Sequence, residues 1–302
     1  MSAHNQEQFQ VRRCSDPRAD QTIVPGCPLV SVIVPTRNSE RWLERCLSSI
    51  ARQTYGSTEL IVVDNNSTDQ TKAIATRFGA KVLTGGPERS AQVNEGARAA
   101  RGEYVYRVDS DFELEPDVIQ QCIDACNQGA DAVAVHNRPD TTVSWIARVR
   151  EFETNMYRGD LQHSSARFLS RSLYMGLRGL NETVTAGEDY DFQNRLNDAG
   201  AVTVFIAADA IHLGEPRFLL PHLRKYFWYG ADFVHYIDHN RRQASHQLSP
   251  IRRAYIRNWR EFVGHPLLAA RFVLYCLLKF ASGGMGLLWG LTVKRAQKKT
   301  GD

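Results

Sequence analysis

The feature that most constrains the fold is an alternation, from Leu29 onward, of short apolar runs rich in β-branched residues with segments of helical period. Helical crossovers allow successive strands to run parallel, and the helices then cover both faces of the sheet. Such alternation is typical of α/β folds. We therefore predict an α/β fold with a mainly parallel, twisted sheet flanked by helices.

The individual elements follow from the same pattern. Five strands are predicted in the first half of the chain: LVSVIVP, TELIVVD, AKVLT, GEYVYRVD and ADAVAVH. Helical spacing predicts helices between them, the second capped by Ser67 or Thr68. The pattern further predicts a helix over 143–157, a strand over 167–173, a helix over 188–199 and the strand AVTVFIA. Because ligands of open α/β sheets bind beyond the carboxyl ends of strands, we expect the site after the second and fourth strands.

The overall composition is that of a globular protein with a basic end. Hydrophobic residues make up 43% and charged residues 23% of the 302 residues, which excludes a disordered, collagenous or disulfide-scaffold protein. Residues 1–216 hold 22 Lys and Arg against 29 Asp and Glu, whereas residues 217–302 hold 15 against 4. A basic end can bind phosphate groups, whether these belong to a nucleic acid, an anionic membrane or a phosphorylated substrate. The six cysteines show no metal-binding spacing, so we expect reduced thiols in a cytoplasmic protein.

The domain organisation is predicted from shifts in this pattern. Residues 1–27 lack the apolar run of a signal peptide and are predicted to form a polar tail. A single α/β domain is expected over 28–215, with a first half over 28–136 and a less regular second half over 137–215. Residues 216–302 are predicted to form a basic, aromatic and apolar helical region.

The strongest local chemical signal is Asp109-Ser110-Asp111, at the end of an apolar strand. Two carboxylates one residue apart at a strand end can hold a hard divalent cation together with diphosphate oxygens. A solvated acidic turn is the alternative interpretation of such a triplet.

Asp64 ends the second strand and is followed by Asn65, Asn66, Ser67 and Thr68. A carboxylate at this position can accept a hydrogen bond from a base imide or a ribose hydroxyl, or it can serve as a loop residue. Asp69 is instead predicted to lie at the start of the next helix.

These segments together resemble the family 2 glycosyltransferases with the GT-A fold. The matching pieces are SVIVPTRNSERWLERCLSSIARQT, ELIVVDNNSTDQT, ERSAQVNEGARAARGEYVYRVDSD and AGEDYDFQNRL, which occur in this order over about residues 29–215. The resemblance implies a GT-A sheet, with a Rossmann-like nucleotide-sugar-binding half over 28–136 and an acceptor half over 137–215. It also implies an enzyme that transfers a sugar from a nucleotide diphosphate sugar, with uridine as the favoured nucleoside.

The resemblance assigns a donor site to several residues of this chain. Pro35, Thr36 and Arg37, after the first strand, and Asp64 correspond to the pocket for the nucleotide base and ribose. Arg89 occupies a position where the family often contributes a basic or polar contact to the donor.

The resemblance also implies a divalent cation, Mn²⁺ or Mg²⁺, as cofactor. Asp109 and Asp111 match the family's DxD motif, with Asp111 as the direct ligand and Asp109 as a contact to ribose or metal. His212 follows the strand AVTVFIA and matches a histidine that completes the metal site in some relatives, although a packed histidine is the alternative. Phe112 stands where the family often has a further acidic residue.

Glu188-Asp189 resembles the family's ED motif, which implies that Asp189 is the general base on the acceptor hydroxyl and that Glu188 contacts the acceptor. A carboxylate at a helix start across the cleft can reach the face opposite the leaving diphosphate. Alternatively, both acids favour the helix N-terminus through its dipole. A single displacement with one base would invert the anomeric centre.

The C-terminal region contains 22 mainly apolar residues, 272–293, which are enough to cross a bilayer. Because Lys279 lies near the middle of this stretch, we favour a helix at the membrane surface with Lys279 among the headgroups. A membrane span and a helix packed on the domain remain alternatives. The expected partner is an anionic, cytoplasmic membrane surface.

Several functions compete for this sequence. The leading hypothesis is transfer from a UDP-sugar to a saccharide or lipid-linked hydroxyl acceptor. The alternatives are transfer to a polyprenyl phosphate, a nucleotidyltransferase, or an inactive membrane scaffold. Nucleic-acid binding is not expected, because no nucleic-acid module accompanies the basic residues.

Overall fold

The structure is a computed structural model that describes residues 26–161, 163–184, 187–239 and 252–300. Nearly all of the predicted polar tail lies outside these residues. The strands are β1 (Val30–Thr36), β2 (Thr58–Asp64), β3 (Lys81–Thr84), β4 (Tyr104–Arg107), β5 (Phe112–Leu114), β6 (Ala132–Pro139), β7 (Phe168–Ser170) and β8 (Thr203–His212). The helices are α1 (Glu40–Ala51), α2 (Thr71–Arg77), α3 (Arg89–Ala99), α4 (Val118–Asn127), α5 (Trp145–Met156), α6 (Arg171–Gly176), α7 (Glu188–Asp198), α8 (Leu219–His239), α9 (Arg253–Arg257), α10 (Trp259–Gly264) and α11 (Pro266–Thr300).

The described strands form one eight-stranded sheet in the order β3-β2-β1-β4-β7-β6-β8-β5. The first four strands in this order are parallel, as are β6 and β8. Strand β7 is antiparallel to both of its neighbours, and β5 is antiparallel to β8. Strands β2 and β3 are added on one side of β1, and β4 is added on its other side. Open α/β sheets bind ligands at such a point, where the strand order reverses. The predicted α/β fold is confirmed.

The central position of β1 follows from its sequence, because every residue from Val30 to Thr36 is buried. Side chains alternate between the two faces of a strand. Val32 and Val34 belong to the core cluster beneath α1 and α4, whereas Ile33 belongs to the cluster beneath α3 and α7. Burial of each such side chain contributes about 1.5–3 kcal/mol to stability. The two cores fix the helices that surround the carboxyl end of β1.

The five strands predicted in the first half are present as β1 to β4 and β6, and two strands differ from expectation. The three-residue strand β5 was not predicted, because it is too short to show an alternating pattern. The strand predicted over 167–173 ends at Ser170, whose side chain accepts a hydrogen bond from the backbone N–H of Leu173 and begins α6.

The start of α2 also differs from the prediction. The helix begins at Thr71, and neither Ser67 nor Thr68 caps it. Asp69 instead accepts a hydrogen bond from the backbone N–H of Thr71, at 3.0 Å, and another from the N–H of Glu40, at 3.1 Å. Asp69 therefore joins the starts of α1 and α2, as a structural residue.

The C-terminal helix α11 packs along α8 and against α5. Its buried residues recur at helical spacing on one face: Ala269, Phe272, Tyr275, Lys279 and Ser282. The two helices approach closely at Gly286, where any side chain would collide with the carbonyl oxygen of Phe227. Within the described residues one helix, Pro266–Val293, is long and apolar enough to cross a membrane.

The outer face of α11 is more apolar than its buried face. Two of the five buried side chains, Lys279 and Ser282, are polar, whereas the exposed large side chains are apolar. The exposed apolar residues of this helix are Leu267, Val273, Leu274, Leu277, Leu278, Met285, Leu288, Trp289 and Leu291. An exposed patch of this kind marks a surface that meets another molecule or a membrane.

Lys279 does not face headgroups, so the sequence-based expectation for it is wrong. Its side chain is buried, and its Nζ lies 2.6 and 2.8 Å from the two carboxylate oxygens of Glu153 on α5. The hydroxyls of Tyr157 and Tyr255 donate to the same carboxylate, each at 3.0 Å. The Lys279 charge is therefore neutralised inside the protein, where it joins α11 to α5.

The predicted state of the cysteines is confirmed in part. Cys46, Cys122, Cys126 and Cys276 are free thiols, and the first two are buried. Cys27 is disulfide-bonded, which corrects the expectation of a reduced thiol at that position. The predicted domain limits remain predictions, and the limit at residue 136 falls within β6.

We predict that Lys279→Met lowers the free energy of unfolding by about 3–5 kcal/mol, because it leaves Glu153 charged and unpaired in a buried position. The double variant Glu153→Gln/Lys279→Met removes both charges and is expected to recover most of this loss. Arg271→Met, at an exposed position of the same helix, should change stability by less than about 0.5 kcal/mol. Chemical unfolding of the full chain measures all three variants.

The same pair predicts a pH dependence. Burial opposes ionisation of Glu153, but Lys279 and Arg252 outweigh it and lower its pKa to about 2. The ion pair therefore adds stability above the ordinary glutamate pKa of 4.5, and this contribution is lost as the pH falls toward 2. The stability difference between the wild type and Lys279→Met should shrink over that range. A difference independent of pH would contradict this assignment.

Candidate active site

The main cavity, of about 720 Å³, lies at the carboxyl ends of β1 and β4. Its walls come from the loop after β1, the start of α3, the turn between β4 and β5, the start of α7 and the residues around the end of β8. All but one of the residues predicted from sequence line it: Pro35, Thr36, Arg37, Arg89, Asp109, Asp111, Glu188, Asp189 and His212. The topology thus brings together residues up to 177 positions apart, from Pro35 to His212.

Asp64 is the exception, because it is fully buried and does not line the cavity. Its carboxylate accepts hydrogen bonds from the Thr36 hydroxyl at 3.2 Å, from the Ser67 backbone N–H at 2.9 Å and from the Ser67 hydroxyl. The Nζ of Lys72 lies 3.5 Å away. Asp64 therefore holds the loop after β1 in place, and its predicted contact with a base or ribose stays a prediction.

Strand pairing brings Asp111 to His212. The antiparallel register of β5 and β8 sets Phe112 opposite His212, so the residue before β5 meets the end of β8. The His212 Nε2 lies 3.2 Å from the Asp111 carboxylate, and its Nδ1 lies 2.5 Å from the buried carboxylate of Glu215. Burial alone would lower the pKa of His212, but these two carboxylates raise it to about 9.

The Asp111 and His212 pair fits a divalent cation only in part. One carboxylate and one imidazole are suitable ligands, and Glu215 holds the histidine by its other nitrogen, as is usual for metal-binding histidines. In the part of the chain that the structure describes, no three His, Cys, Asp or Glu side chains form a complete metal site. A cation here would therefore need further ligands from a substrate or water.

Asp109 is engaged by arginines on both carboxylate oxygens. Arg89 Nη1 donates to one oxygen at 2.6 Å, and Arg167 Nη1 donates to the other at 2.8 Å. Burial opposes ionisation, but these two guanidinium groups hold the Asp109 pKa well below its usual range. Asp109 is thus more closely associated with cations of the protein than Asp111 is.

Glu188 and Asp189 begin α7, directly after Gly187, which has a positive φ of 93°. A left-handed residue at this position favours glycine and turns the chain sharply into the helix. Asp189 Oδ1 accepts a hydrogen bond from Arg107 at 2.6 Å, and Oδ2 accepts one from Arg89 at 3.3 Å. Glu188 pairs with the same Arg89.

The two acids have opposite pKa shifts. Burial opposes ionisation of Asp189, yet Arg107, Arg89 and Arg167 hold its pKa far below the usual range. Burial and the nearby charge of Asp189 raise the pKa of Glu188, despite its contact with Arg89. Asp189 is therefore ionised and able to accept a proton, and both acids face the main cavity.

Of the three arginines that pair with Asp109 and Asp189, only Arg89 was assigned to the site from the sequence. Arg107 is 5% exposed and also donates to the Ser165 hydroxyl and the Ala166 carbonyl. An arginine inside the apolar run YVYRV was a signal that could have identified it, because a buried charge requires a partner. Arg167 was not assigned a role from the sequence, and the structure places its guanidinium group against Asp109.

Comparison with known sequences identifies the family. The family described as "Glycosyl transferase family 2" matches residues 31–183. The chain belongs to this glycosyltransferase family. The chondroitin synthase of Escherichia coli is 28% identical over 192 residues, which cover 57% of this chain and 27% of that protein. The chain thus spans about a quarter of the length of that relative.

Solved structures show the same GT-A fold. The mannosyltransferase PcManGT from Pyrobaculum calidifontis, in complex with GDP-Man and Mn²⁺, has a TM-score of 0.62 and 17% identity, covering 91% of this chain and 89% of that one. Residues 1–349 of TarS from S. aureus have a TM-score of 0.51 and 17% identity, covering 90% and 92%. The protein is therefore a family 2 glycosyltransferase with a GT-A fold, as predicted.

Proposed function

We propose that the protein transfers a sugar from a nucleotide diphosphate sugar to a hydroxyl group, with inversion at the anomeric carbon. The observation that carries this proposal is that a candidate cation pair, Asp111 and His212, and an ionised carboxylate, Asp189, line one cavity. Pro35, Thr36 and Arg37 line the same cavity and are proposed to contact the nucleotide. UDP is the first nucleotide to test, because the family resemblance favours uridine. GDP is the second, because PcManGT was solved with GDP-Man.

Asp111 and His212 would hold Mn²⁺ or Mg²⁺, with Asp109 beside them in contact with the ribose or the metal. When bound, the cation would neutralise the charge that develops on the leaving diphosphate. His212 would bind through Nε2, because Nδ1 faces Glu215. Arg89 and Arg167 lie at the same side of the cavity and would contact the diphosphate oxygens.

Asp189 would accept the proton of the attacking hydroxyl, and Glu188 would orient the acceptor. In the free protein three arginines hold Asp189 as a weak base. A diphosphate that binds Arg89 and Arg167 would withdraw part of their positive field from Asp189, and its basicity would rise. Donor binding would in this way prepare the base for the acceptor.

The protein is further proposed to act at the cytoplasmic face of a membrane. The support is the apolar outer face of α11, together with exposed cations of the same region, including Arg224, Lys225 and Arg271. Lipid chains would cover the apolar residues, while the cations would meet anionic headgroups. Because the buried face of α11 is held by α5 and α8, the helix would lie at the surface.

The first prediction of the proposed function concerns donor binding. UDP, GDP, CDP and TDP are each tested for a thermal shift of the purified protein with and without Mn²⁺ or Mg²⁺, because a ligand of the native state raises its stability. One nucleotide is expected to give a metal-dependent shift in the wild type, and Asp111→Asn should abolish the metal dependence. Asp117→Asn, at an exposed position outside the cavity, is the matched control. No shift with any pair would favour an inactive scaffold.

The second prediction concerns the base. Asp189→Asn should lower kcat by roughly 10²–10⁴-fold, the usual contribution of general base catalysis, and should leave the nucleotide-dependent thermal shift in place. Glu188→Gln should cause a smaller loss of kcat. Activity that survives in Asp189→Asn would favour transfer to a phosphate oxygen, as in a polyprenyl phosphate, because that nucleophile needs no base. Product with retained anomeric configuration would refute single displacement.

The third prediction concerns the membrane. The full chain should float with vesicles of phosphatidylcholine and phosphatidylglycerol, and should do so more weakly at high salt. The triple variant Leu274→Glu/Leu277→Glu/Leu288→Glu should lose this binding and keep the thermal shift with nucleotide. Val202→Glu, at an exposed apolar position just before β8 and outside the C-terminal helices, is the control. Equal flotation of the triple variant would refute the assignment of this face.

A further inference from the structure

Two further cavities adjoin the main cavity at α7. The side cavity, of about 290 Å³, is lined by residues that include Asn137, His163 and both acids at the start of α7. The interhelix cavity, of about 690 Å³, lies between α5, α8 and α11. The three cavities share Glu188 and Thr154, so they meet beside the proposed base.

The side cavity contains two buried side-chain atoms that have no hydrogen-bond partner among the described residues. His163 Nε2 and Asn137 Oδ1 lack a hydrogen-bond partner within the described part of the chain. The His163 side chain is 4% exposed, its ring stacks on Tyr157 at 4.9 Å, and its Nδ1 lies 3.0 Å from the Asp160 carboxylate. Because the Asp160 carboxylate can only accept, Nδ1 is the donor, and in the tautomer with its proton on Nδ1 the Nε2 atom is an acceptor.

Unpaired buried acceptors indicate what the cavity takes. An unsatisfied buried polar atom costs about 1–3 kcal/mol, and a ligand that donates to it removes this cost. Hydroxyl groups can donate to both His163 and Asn137, whereas the oxygens of a phosphate dianion cannot. The volume equals roughly ten water molecules at about 30 Å³ each, which is enough for one sugar ring. The side cavity therefore suits the hydroxyl-bearing end of an acceptor.

The interhelix cavity has a different character. Its walls are mainly apolar and aromatic, and they include Phe233, Phe280 and Leu287. Five charged residues also line this cavity, and each of them has a partner. Glu153 pairs with Lys279, Arg150 with Glu215 and Glu188 with Arg89, and Arg252 donates to the Tyr157 hydroxyl. The cavity touches the side cavity through Tyr157, His163 and Tyr190. An apolar chain could therefore extend from the side cavity into the space between α8 and α11.

We propose that these two cavities bind an amphipathic acceptor, with a sugar or polyol end against His163 and Asn137 and an apolar chain between α8 and α11. The proposal rests on the transferase function proposed above and specifies its acceptor as a glycolipid or lipid-linked saccharide. The order of the cavities agrees with this chemistry, because the polar end would lie next to Asp189 and the apolar end next to the lipid-facing helix α11.

A substitution at Gly284 tests whether the interhelix cavity binds the acceptor. Gly284 lines the cavity, and an added Cβ would meet no atom within 4 Å. Gly284→Leu should therefore fill the cavity without disturbing the fold. Gly176→Leu, at an exposed helical glycine with equally open surroundings and outside the three cavities, is the matched control.

The acceptor test compares octyl glycosides of the common hexoses and N-acetylhexosamines with the matching methyl glycosides, using the full chain and the donor that the thermal-shift panel selects. At least one octyl glycoside should have a kcat/KM at least tenfold above its methyl counterpart. Gly284→Leu should bring this ratio close to one, and Gly176→Leu should retain it. Equal values for octyl and methyl glycosides, a ratio unaffected by Gly284→Leu, or faster transfer to farnesyl phosphate than to every glycoside would overturn the proposal.

Asn137→Ala tests the side cavity. Because the Asn137 Oδ1 has no partner, the variant should keep the stability of the wild type, and a purely structural role would leave kinetics unchanged as well. We expect KM for the best octyl glycoside to rise at least fivefold with little change in the nucleotide-dependent thermal shift. An unchanged KM would overturn the assignment of the polar end.

A binding test keeps this proposal separate from the transferase function. An octyl glycoside with a diazirine in its chain should label residues around Phe233, Phe280 and Leu287 in the wild type and not in Gly284→Leu. Labelling of only the outer face of α11 in both proteins would overturn the proposal. The absence of any nucleotide-dependent thermal shift would refute the transferase function, and the labelling result would still decide whether the cavity binds an alkyl chain.

Discussion

The pairing of three arginines with Asp109 and Asp189 is the interaction on which the site depends. Arg89 comes from α3, Arg107 from β4 and Arg167 from the residue before β7, and all three meet carboxylates at the centre of the main cavity. Without the guanidinium groups, Asp109 and Asp189 would repel each other at short range. Without the carboxylates, three guanidinium groups would lie close together with their positive charges unpaired. The network therefore positions α7 against the sheet.

This arrangement has a consequence for the proposed reaction. If the donor binds as proposed, its diphosphate would compete with Asp189 for Arg89 and Arg167. A carboxylate released from part of its positive surroundings gains basicity. Proton removal would thus become favourable only when the donor is in place. Such coupling would limit attack by the acceptor, or by water, to the loaded enzyme.

The C-terminal helices complete the site and also carry the apolar surface. Helix α8 contributes Lys225 and Tyr229 to the main cavity, and α11 contributes Lys279 and Gly284 to the interhelix cavity. The buried pair of Lys279 and Glu153 joins α11 to α5, which also provides Thr154 to all three cavities. The surface proposed to meet the membrane and the site proposed to take the acceptor are therefore two faces of the same helices.

The sequence predicted the sheet and the main cavity well, because both depend on local patterns. Buried strands such as β1 have continuous apolar sequences, and Asp109, Asp111 and Asp189 lie in recognisable motifs. It failed where the outcome depended on a distant partner. Lys279 was assigned to headgroups because its partner was not recognised. That partner, Glu153, lies 126 residues earlier, and no periodic pattern links the two. Arg107 was missed for the same reason, since its partner Asp189 is 82 residues away.

Dependence on distant partners also makes acceptor chemistry harder to infer from the sequence than donor chemistry. The family match covers residues 31–183, which include the loop after β1, Arg89, Asp109 and Asp111. It ends before α7, α8 and α11, which form most of the interhelix cavity. The apolar end of the proposed acceptor site is thus built mostly from segments outside the matched region, whereas its polar end, at Asn137 and His163, lies within that region. Two unpaired acceptors, on Asn137 and His163, and a cavity between two helices become visible only when the chain is folded.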